Sequence, residues 1–179
     1  NLETIEKIFP GATSMTMLKS YRSTYEITQF TKRISQKVNV EALARHGEEP
    51  SIISCKNKEH EIVEIKNLIS AFDQSEFNSL GIICKTQKQA DTLHTLLNSE
   101  FKINLLNAIS ISFGSGIVIT TAHMAKGLEF DQVIVPHVTD KNYQSAPDMQ
   151  MLYVACTRTM HKLCLTHTGN PSKFILDSV

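Results

Sequence analysis

The chain has 179 residues, of which 41% are hydrophobic and 20% are charged, which is ordinary for a globular domain with its own core. Its 18 basic residues equal its 18 acidic residues, so the overall charge gives no support for nucleic-acid binding, and any such contact must be local. No apolar run approaches the roughly 18–20 residues of a membrane span, and no signal peptide is visible. We therefore expect a globular domain without membrane contact.

The cysteines and histidines bear on redox environment and metal binding. The four cysteines form no CxxC pair, and three of them (Cys84, Cys156 and Cys164) lie inside apolar runs. The seven histidines show no spacing typical of metal ligands. We therefore predict buried free thiols, no disulfide, no metal site and a reducing, cytoplasmic location.

The first 13 residues contain few core-forming side chains and include the turn pair Pro10-Gly11. We interpret residues 1–13 as a lead-in or a linker between domains, and residues 14–179 as one domain. Because the chain begins with Asn1 rather than Met, we expect it to be a fragment of a longer protein.

Apolar runs alternate with amphipathic segments along the rest of the chain. They predict strands over 15–18, 51–55, 80–84, 102–106, 117–121, 133–135 and 162–166. They also predict helices that begin near residue 23 and that cover 59–72, 88–98 and 148–160. Ser23 and Glu26 have capping-box spacing at the first of these helices. The alternation predicts an α/β domain with a mainly parallel sheet and helices on both faces.

Two of these helices have a clear apolar face. In the helix over 59–72, the inward side is predicted to carry Ile62, Ile65, Ile69 and Phe72. In the helix over 88–98, it is predicted to carry Ala90, Leu93, Leu96 and Leu97. Both faces are expected to pack on the sheet.

Several catalytic motifs are missing from the sequence. None of the seven glycines is followed by Lys, so the chain has no Walker A motif of its own, and it also lacks a nucleophile elbow and a dinucleotide GxGxxG. What remains is a set of polar residues at predicted strand ends. Arg22 precedes a predicted helix, Arg158 lies within one, and Glu129 lies between two central apolar strands. Two arginines and one carboxylate at one edge could clamp a nucleotide phosphate supplied from elsewhere.

Three segments carry a resemblance to a known family. LKSYRSTYEI, ITTAHMAKGLEFDQVIV and LYVACTRTMHKLCL resemble motifs IV, V and VI of superfamily 1 helicases of the UvrD/Rep type, in the family's order. The chain thus resembles the second RecA-like domain of such a motor. The resemblance implies an N-terminal RecA-like domain, with Walker A and B motifs, upstream of Asn1. The segments KSYRST, AKGLEFD and YVACTR also resemble those of the HelD-type, helicase IV-like ATPases, which remodel or recycle RNA polymerase.

The resemblance implies roles for matching positions around the nucleotide. ATP with Mg²⁺ would be held mainly by the N-terminal domain, while Tyr21 would stack on the adenine base. Gly127 and Glu129 would lie beside the ribose or the phosphates. Arg22 and Arg158 would reach the γ-phosphate, with Arg158 as the arginine finger. The full-length protein is then expected to be an ATP-dependent helicase, and the isolated chain to be inactive.

The resemblance also implies that Thr121 and His123 contact single-stranded DNA or relay between it and ATP. Plain alternatives stand beside these roles: Tyr21 as a core aromatic, His123 as a structural histidine and the arginines as surface charges. Two functions stay open at this point. Thr121 and His123 favour a DNA helicase or translocase. The zero net charge, and the lack of room for a large inserted subdomain between motifs IV and V, favour a remodeller of RNA polymerase. A third reading is a degenerate domain that only binds other proteins.

Overall fold

The computed structural model describes residues 9, 19–20, 22–35, 41–42, 45–107 and 115–176. The strands of this part are β1 (Lys19–Ser20), β2 (Glu41–Ala42), β3 (Ser51–Cys55), β4 (Ser79–Cys84), β5 (Ile103–Leu105), β6 (Gly116–Thr121), β7 (Phe130–Val135) and β8 (Thr159–Thr168). Its helices are α1 (Tyr25–Ile34), α2 (Lys58–Asp73), α3 (Gln87–Leu97), α4 (Ala146–Cys156) and α5 (Lys173–Leu176). The predicted linker over 1–13, apart from the exposed Phe9, and the predicted strand over 15–18 lie outside the described residues.

Within the described residues, six strands form one sheet in the order β3-β8-β7-β4-β6-β5, and every neighbouring pair is parallel. The short strands β1 and β2 form a separate parallel pair. The central strands are buried along almost their whole length. Because both faces of such strands are covered, their sequences are continuous apolar runs rather than alternating ones. The predicted α/β class with a parallel sheet is confirmed.

Helices cover both faces of the six-stranded sheet. On one face, α1, α4 and α5 bury Phe30, Leu152 and Ile175 against strand residues that include Val133 and Leu163. On the other face, α2 and α3 pack on the sheet with the buried residues Ile65, Ile69, Phe72, Ala90, Leu93 and Leu97. The core is therefore divided by the sheet into two apolar layers.

The start of α1 differs from the prediction. Thr24 is the N-cap, and its side chain accepts a hydrogen bond from the backbone N–H of Ile27 (3.5 Å). The hydroxyl of Ser23 instead donates to the carbonyl of Thr159 (2.6 Å). The Glu26 carboxylate accepts from the backbone N–H of Gly47 (2.8 Å). The predicted capping box was wrong because long-range partners engage both of its side chains.

Two segment boundaries were also mispredicted. The helix predicted to reach residue 160 ends at Cys156, because Thr159 already pairs with Phe130 in the sheet. Strand β7 begins at Phe130, three residues before the predicted start, and the ring of Phe130 is fully buried. Strand pairing therefore decides where these elements begin and end, which helical periodicity cannot show.

Two helix residues differ from the predicted buried sides of α2 and α3. Leu96 was predicted to point inward, but 48% of it is exposed. Glu61 is fully buried and shares the inward side of α2 with Ile65 and Ile69, while Ile62 is only partly buried. The buried side of α2 therefore begins one residue earlier than predicted, and the buried side of α3 is narrower than predicted because it excludes Leu96.

Cys84, Cys156 and Cys164 are buried, as predicted, and Cys55 is buried as well; all four are free thiols. Burial raises the pKa of Cys84 to about 12, so its thiol stays protonated and unreactive. In the part of the chain that the structure describes, no group of three metal-ligating side chains comes together. None of the described helices is both long enough and apolar enough to span a bilayer.

Candidate functional site

The predicted site residues Arg22, Glu129 and Arg158 meet where β7 and β8 begin, at the amino edge of the sheet. Glu129 directly precedes β7, and Arg158 lies in the turn directly before β8. Arg22 is brought to the same place because its neighbour Ser23 is hydrogen-bonded to the first residue of β8. The expected convergence of two arginines and one carboxylate is therefore present. We call these three residues the arginine cluster.

The contact between Arg22 and Glu129 is an exposed ion pair. The Nε of Arg22 lies against Oε1 of Glu129, although the approach does not meet the geometry of a hydrogen bond. The side chains remain 38% and 41% exposed. Ion pairs this exposed contribute about 0–1 kcal/mol to stability, so little energy is needed to separate them.

Arg158 is held mainly by neutral groups. Its guanidinium donates to the carbonyls of Val154 (3.3 Å) and Leu128 (3.4 Å) and to the hydroxyl of Thr157 (3.3 Å). Burial lowers the pKa of Arg158, the nearby charge of Arg22 lowers it further, and Glu129 opposes both effects. An arginine stays protonated at neutral pH even so. The cluster thus carries two positive charges against one negative charge, and an incoming anion would be attracted to it.

The backbone beneath the cluster is rigid. The N–H of Phe130 donates to the carbonyl of Arg158 (2.9 Å), which ties the first residue of β7 to the residue before β8. The ring of Phe130 lies directly over Gly81 of β4, where an added Cβ would be only 2.7 Å from the ring. The positions of Glu129 and Arg158 therefore follow from the packing of Phe130.

Asp131 orients the same edge of the sheet. Its carboxylate accepts hydrogen bonds from the backbone N–H groups of Asn78 (2.9 Å) and Ser79 (3.0 Å) and from the Ser79 hydroxyl (2.9 Å). The Ser79 hydroxyl in turn accepts from the N–H of Asp131 (2.9 Å). Asp131 therefore joins the beginnings of β4 and β7, which is a structural role.

The two residues predicted to contact single-stranded DNA, Thr121 and His123, lie at the opposite, carboxyl edge of the sheet. Thr121 is buried at the end of β6, and its hydroxyl accepts from the N–H of Met124 (3.4 Å), while His123 is exposed in the loop that follows. A six-residue strand spans about 20 Å, so these two residues do not join the arginine cluster. The loop crosses to the amino edge through Gly127, whose φ of +87° is strained for other residues. Tyr21, the predicted adenine contact, lies outside the described residues.

A buried network at the carboxyl edge was not predicted. The Glu61 carboxylate accepts hydrogen bonds from the hydroxyl of Thr166 (2.6 Å) and from the backbone N–H of His137 (2.9 Å), and it pairs with the His137 ring (2.7 Å). His137 has a φ of +59°, which is uncommon outside glycine. Asn142 donates to the carbonyl of His137 (2.9 Å). The network therefore holds the loop after β7 in a conformation that it would not adopt unaided.

The pKa of Glu61 reflects this environment. Burial raises the pKa, but the hydrogen bonds from His137 and Thr166 outweigh burial, so the pKa lies below its ordinary value. A sequence signal for this residue existed, because Glu61 has the helical spacing of the buried residues Ile65 and Ile69. A carboxylate in the buried stripe of a helix indicates a partner inside the protein.

Comparisons with known proteins agree with the fold. Residues 116–166, which include Glu129 and Arg158, match the family model of the UvrD-like helicase C-terminal domain. The chain is therefore similar to the C-terminal domains of these helicases, as predicted, and its sheet has the α/β, RecA-like fold of such a domain. The finer likeness to HelD-type ATPases stays a prediction.

Two solved structures resemble this chain to different degrees. The C-terminal domain of a possible DNA helicase from Lactobacillus plantarum WCFS1 is 29% identical, with a TM-score of 0.75 over 89% of this chain and 94% of that one. A complex of Arterivirus nonstructural protein 10, a helicase, with DNA is 11% identical, with a TM-score of 0.47 over 80% of this chain and 31% of that one. No curated protein sequence matches significantly.

Proposed function

We propose that the chain is the C-terminal motor domain of an ATP-dependent DNA helicase or translocase. The observation that supports this best is the arginine cluster, since Arg22 and Arg158 together exceed the single negative charge of Glu129. Glu129 and Arg158 also lie in the segment that is similar to UvrD-like helicases. ATP hydrolysis builds negative charge on the γ-phosphoryl oxygens, and arginines supplied by a second domain stabilise that charge.

In this proposal, ATP with Mg²⁺ is bound mainly by an N-terminal RecA-like domain of the same protein. When the cleft closes, Arg158 approaches the γ-phosphate as the arginine finger. Arg22 exchanges the exposed Glu129 carboxylate for phosphate oxygens, while Glu129, Gly127 and Tyr21 lie on the nucleotide side. Hydrolysis then requires closure, which couples chemistry to movement.

Thr121 and His123 are proposed to form part of the track for single-stranded DNA. They lie at the carboxyl edge, far from the arginine cluster, so they can contact a second ligand while ATP occupies the cleft. The buried hydroxyl of Thr121 fixes the turn that presents the exposed His123. Coupling between the two edges would pass through the loop that joins β6 to β7.

A second candidate function is that of a HelD-type ATPase that remodels or recycles RNA polymerase. Two observations favour it. The segment between α1 and β6 is occupied by β2 to β5 together with α2 and α3. It therefore leaves no room for a large inserted subdomain, which weakens the case for processive duplex unwinding. The equal numbers of basic and acidic residues also offer no general attraction for DNA.

Steady-state ATP hydrolysis by the full-length parent protein tests both candidates. Single-stranded DNA is added in one series and core RNA polymerase in another. Strong stimulation by DNA alone supports a translocase, and stimulation mainly by polymerase supports the remodeller. If neither changes the rate, both proposals are wrong. The isolated chain should neither hydrolyse ATP nor bind it tightly, and measurable turnover by the chain would contradict the proposed division between domains.

A further inference from the structure

A groove of about 1000 Å³ opens at the carboxyl edge of the sheet, between α2 and α3. Helix α2 packs on β3 and β8, whereas α3 packs on β4, β5 and β6. Strand β7 lies between β8 and β4 in the sheet, so the two helices flank a gap over it. The loops that follow β7 and β8 close the end of this gap.

The aliphatic part of the groove explains why Leu96 departs from its predicted position. Leu96, Leu93 and Ile62 all line the groove. Leu93 is buried, but Ile62 is only partly buried, and 48% of Leu96 is exposed to solvent. The inward side of α3 is already supplied by Ala90, Leu93 and Leu97, so Leu96 does not contribute to the core. The groove therefore presents aliphatic side chains to solvent.

The rim of the groove is basic. Lys58, Lys88 and Lys141 line it and are exposed, and none of them forms an ion pair with any described residue. One carboxylate, that of Asp140, is also in the lining and accepts a hydrogen bond from Asn170 (3.4 Å). Three lysines without a carboxylate partner surround an aliphatic surface, and they would attract acidic groups.

The walls of the groove are fixed in place before anything binds. The side-chain amide of Gln89 donates to the side chain of Asn142 (3.1 Å), which joins α3 to the loop after β7. Asn142 is in turn bonded to His137, whose ring pairs with the buried Glu61 of α2. A groove that needs no rearrangement loses little conformational entropy when it is filled.

We propose that this groove is the docking site for an amphipathic segment of a partner protein. The segment would carry aliphatic residues on one side, flanked by aspartates or glutamates. Its aliphatic residues would cover Leu96 and Ile62, and its carboxylates would pair with Lys58, Lys88 and Lys141. A helix laid into a groove is a common way to bind such a segment. This site is independent of the proposed ATP chemistry, which lies at the opposite edge.

The composition of the lining favours a protein over a nucleic acid at this groove. Single strands are usually held by stacking of bases on aromatic rings or arginines. No Phe, Tyr, Trp or Arg is found among the described residues that line the groove, and the ring of His137 is engaged with Glu61. Aliphatic side chains suit the side chains of a helix better than they suit bases.

The test is a selection from a displayed library of helical peptides with random surface positions, using the 179-residue chain as bait. The selected peptides are then synthesised, and their affinities are measured by fluorescence anisotropy. Enriched peptides should have aliphatic residues at helical spacing and an excess of acidic residues. Replacing Leu96→Ser should weaken their binding about tenfold, which corresponds to the loss of one buried leucine contact. Lys88→Glu should weaken binding to a similar degree and flatten its dependence on salt.

Matched controls separate docking from folding and from general charge. Leu176→Ser changes a leucine that is 55% exposed on α5, on the other face of the sheet, and Lys102→Glu reverses an exposed charge before β5. Both should leave peptide affinity unchanged, and thermal unfolding should show that all four variants fold. The proposal is overturned if no acidic peptides are enriched, or if Leu96→Ser leaves the affinity of the enriched peptides unchanged. It is also overturned if only oligothymidylate binds in a parallel titration and Lys88→Glu abolishes that binding.

Discussion

The two edges of the sheet each place a glutamate beside a basic side chain, with opposite results. At the carboxyl edge, Glu61 is fully buried and accepts hydrogen bonds from His137 and Thr166. At the amino edge, Glu129 is exposed and forms an ion pair with Arg22. The first arrangement is costly to disturb, and the second is easily opened. The comparison teaches that burial and the number of donors, rather than the presence of an ion pair, distinguish a structural carboxylate from one that can exchange partners.

The largest effect is expected from Arg158→Ala in the full-length protein. Loss of an arginine finger should lower kcat for ATP hydrolysis by about 10³–10⁵-fold, because Arg22 alone would not supply the charge that Arg158 brings to the γ-phosphate. The fold should persist, since Arg158 makes only long hydrogen bonds to neutral acceptors. Steady-state kinetics and circular dichroism measure the two outcomes.

The exposed Arg33 on α1 provides the matched control for this variant. Arg33→Ala should keep the normal rate, and Arg158→Lys should restore little activity, because lysine lacks the planar fork of arginine. An unchanged rate of ATP hydrolysis in Arg158→Ala would contradict the proposal that Arg158 is the arginine finger.

The next largest effect is expected from Glu61→Ala, measured by urea unfolding of this chain. Removing one member of a buried, hydrogen-bonded pair should lower the free energy of unfolding by roughly 3–5 kcal/mol, because His137 and Thr166 lose their acceptor. Glu59→Ala, an exposed substitution on the same helix, should change the free energy by less than about 0.5 kcal/mol. Equal effects of the two substitutions would show that the buried network does not stabilise the fold.

Acid should reveal the same network. The folded-state pKa of Glu61 is lowered, so its stabilisation is present above the ordinary glutamate pKa of about 4.3 and is lost as pH falls through the folded-state pKa. Glu61→Gln should therefore be less stable than the parent chain at pH 7 by about 1–3 kcal/mol, and this difference should shrink below pH 4. Urea unfolding midpoints between pH 7 and pH 3 test this, and a difference that stays constant with pH would refute it.

A smaller effect is expected from Gly81→Ala, which probes the support beneath the arginine cluster. The added methyl group would meet the ring of Phe130 at 2.7 Å, so the ring must move, at a cost of about 1–3 kcal/mol. Because Phe130 positions Glu129 and Arg158, the variant in the full-length protein should also lose ATPase activity while remaining folded. Loss of stability with full activity would mean that the cluster does not depend on Phe130.

The smallest effect is expected from Glu129→Ala, measured as the stability of the isolated chain. Its ion pair with Arg22 is more than one-third exposed on both sides, so the free energy of unfolding should change by less than about 1 kcal/mol. A loss as large as that of Glu61→Ala would erase the distinction between the two edges.

The sequence predicted much of the fold because its central strands are strongly apolar. The runs around Ile82, Val118 and Ile134 needed no long-range information to be assigned as buried strands. The predicted ends of helices and strands were wrong where residues distant in sequence determine them. Thr159 belongs to β8 only because Phe130 lies beside it, and Ser23 leaves the capping position because it bonds to Thr159. Local periodicity contains neither fact.

The candidate site was predicted unevenly for a similar reason. Arg22, Glu129 and Arg158 could be named because motifs place them. Glu129 and Arg158 converge because they directly precede two neighbouring parallel strands, whereas Arg22 joins them through the hydrogen bond from Ser23 to Thr159. Glu61 and His137 belong to no such motif and are 76 residues apart, so their pairing could not be foreseen. The exposure of Leu96 depends on the gap between two helices, which is set by strand order alone.

The all-parallel sheet has a consequence for the order in which the protein acquires its structure. Among the described strands, the edge strand β3 pairs only with β8. The sheet hydrogen bonds at Ser51 can therefore form only after Cys164, more than one hundred residues later in the chain, has been synthesised. During synthesis, the early segments therefore remain without their partners until nearly the whole described chain has emerged. Such distant pairings make folding slow. A chain shortened before Thr159 would lack β8, so β3 and β7 would each lose a neighbouring strand. The unpaired backbone groups of such strand edges can pair with other chains and cause aggregation.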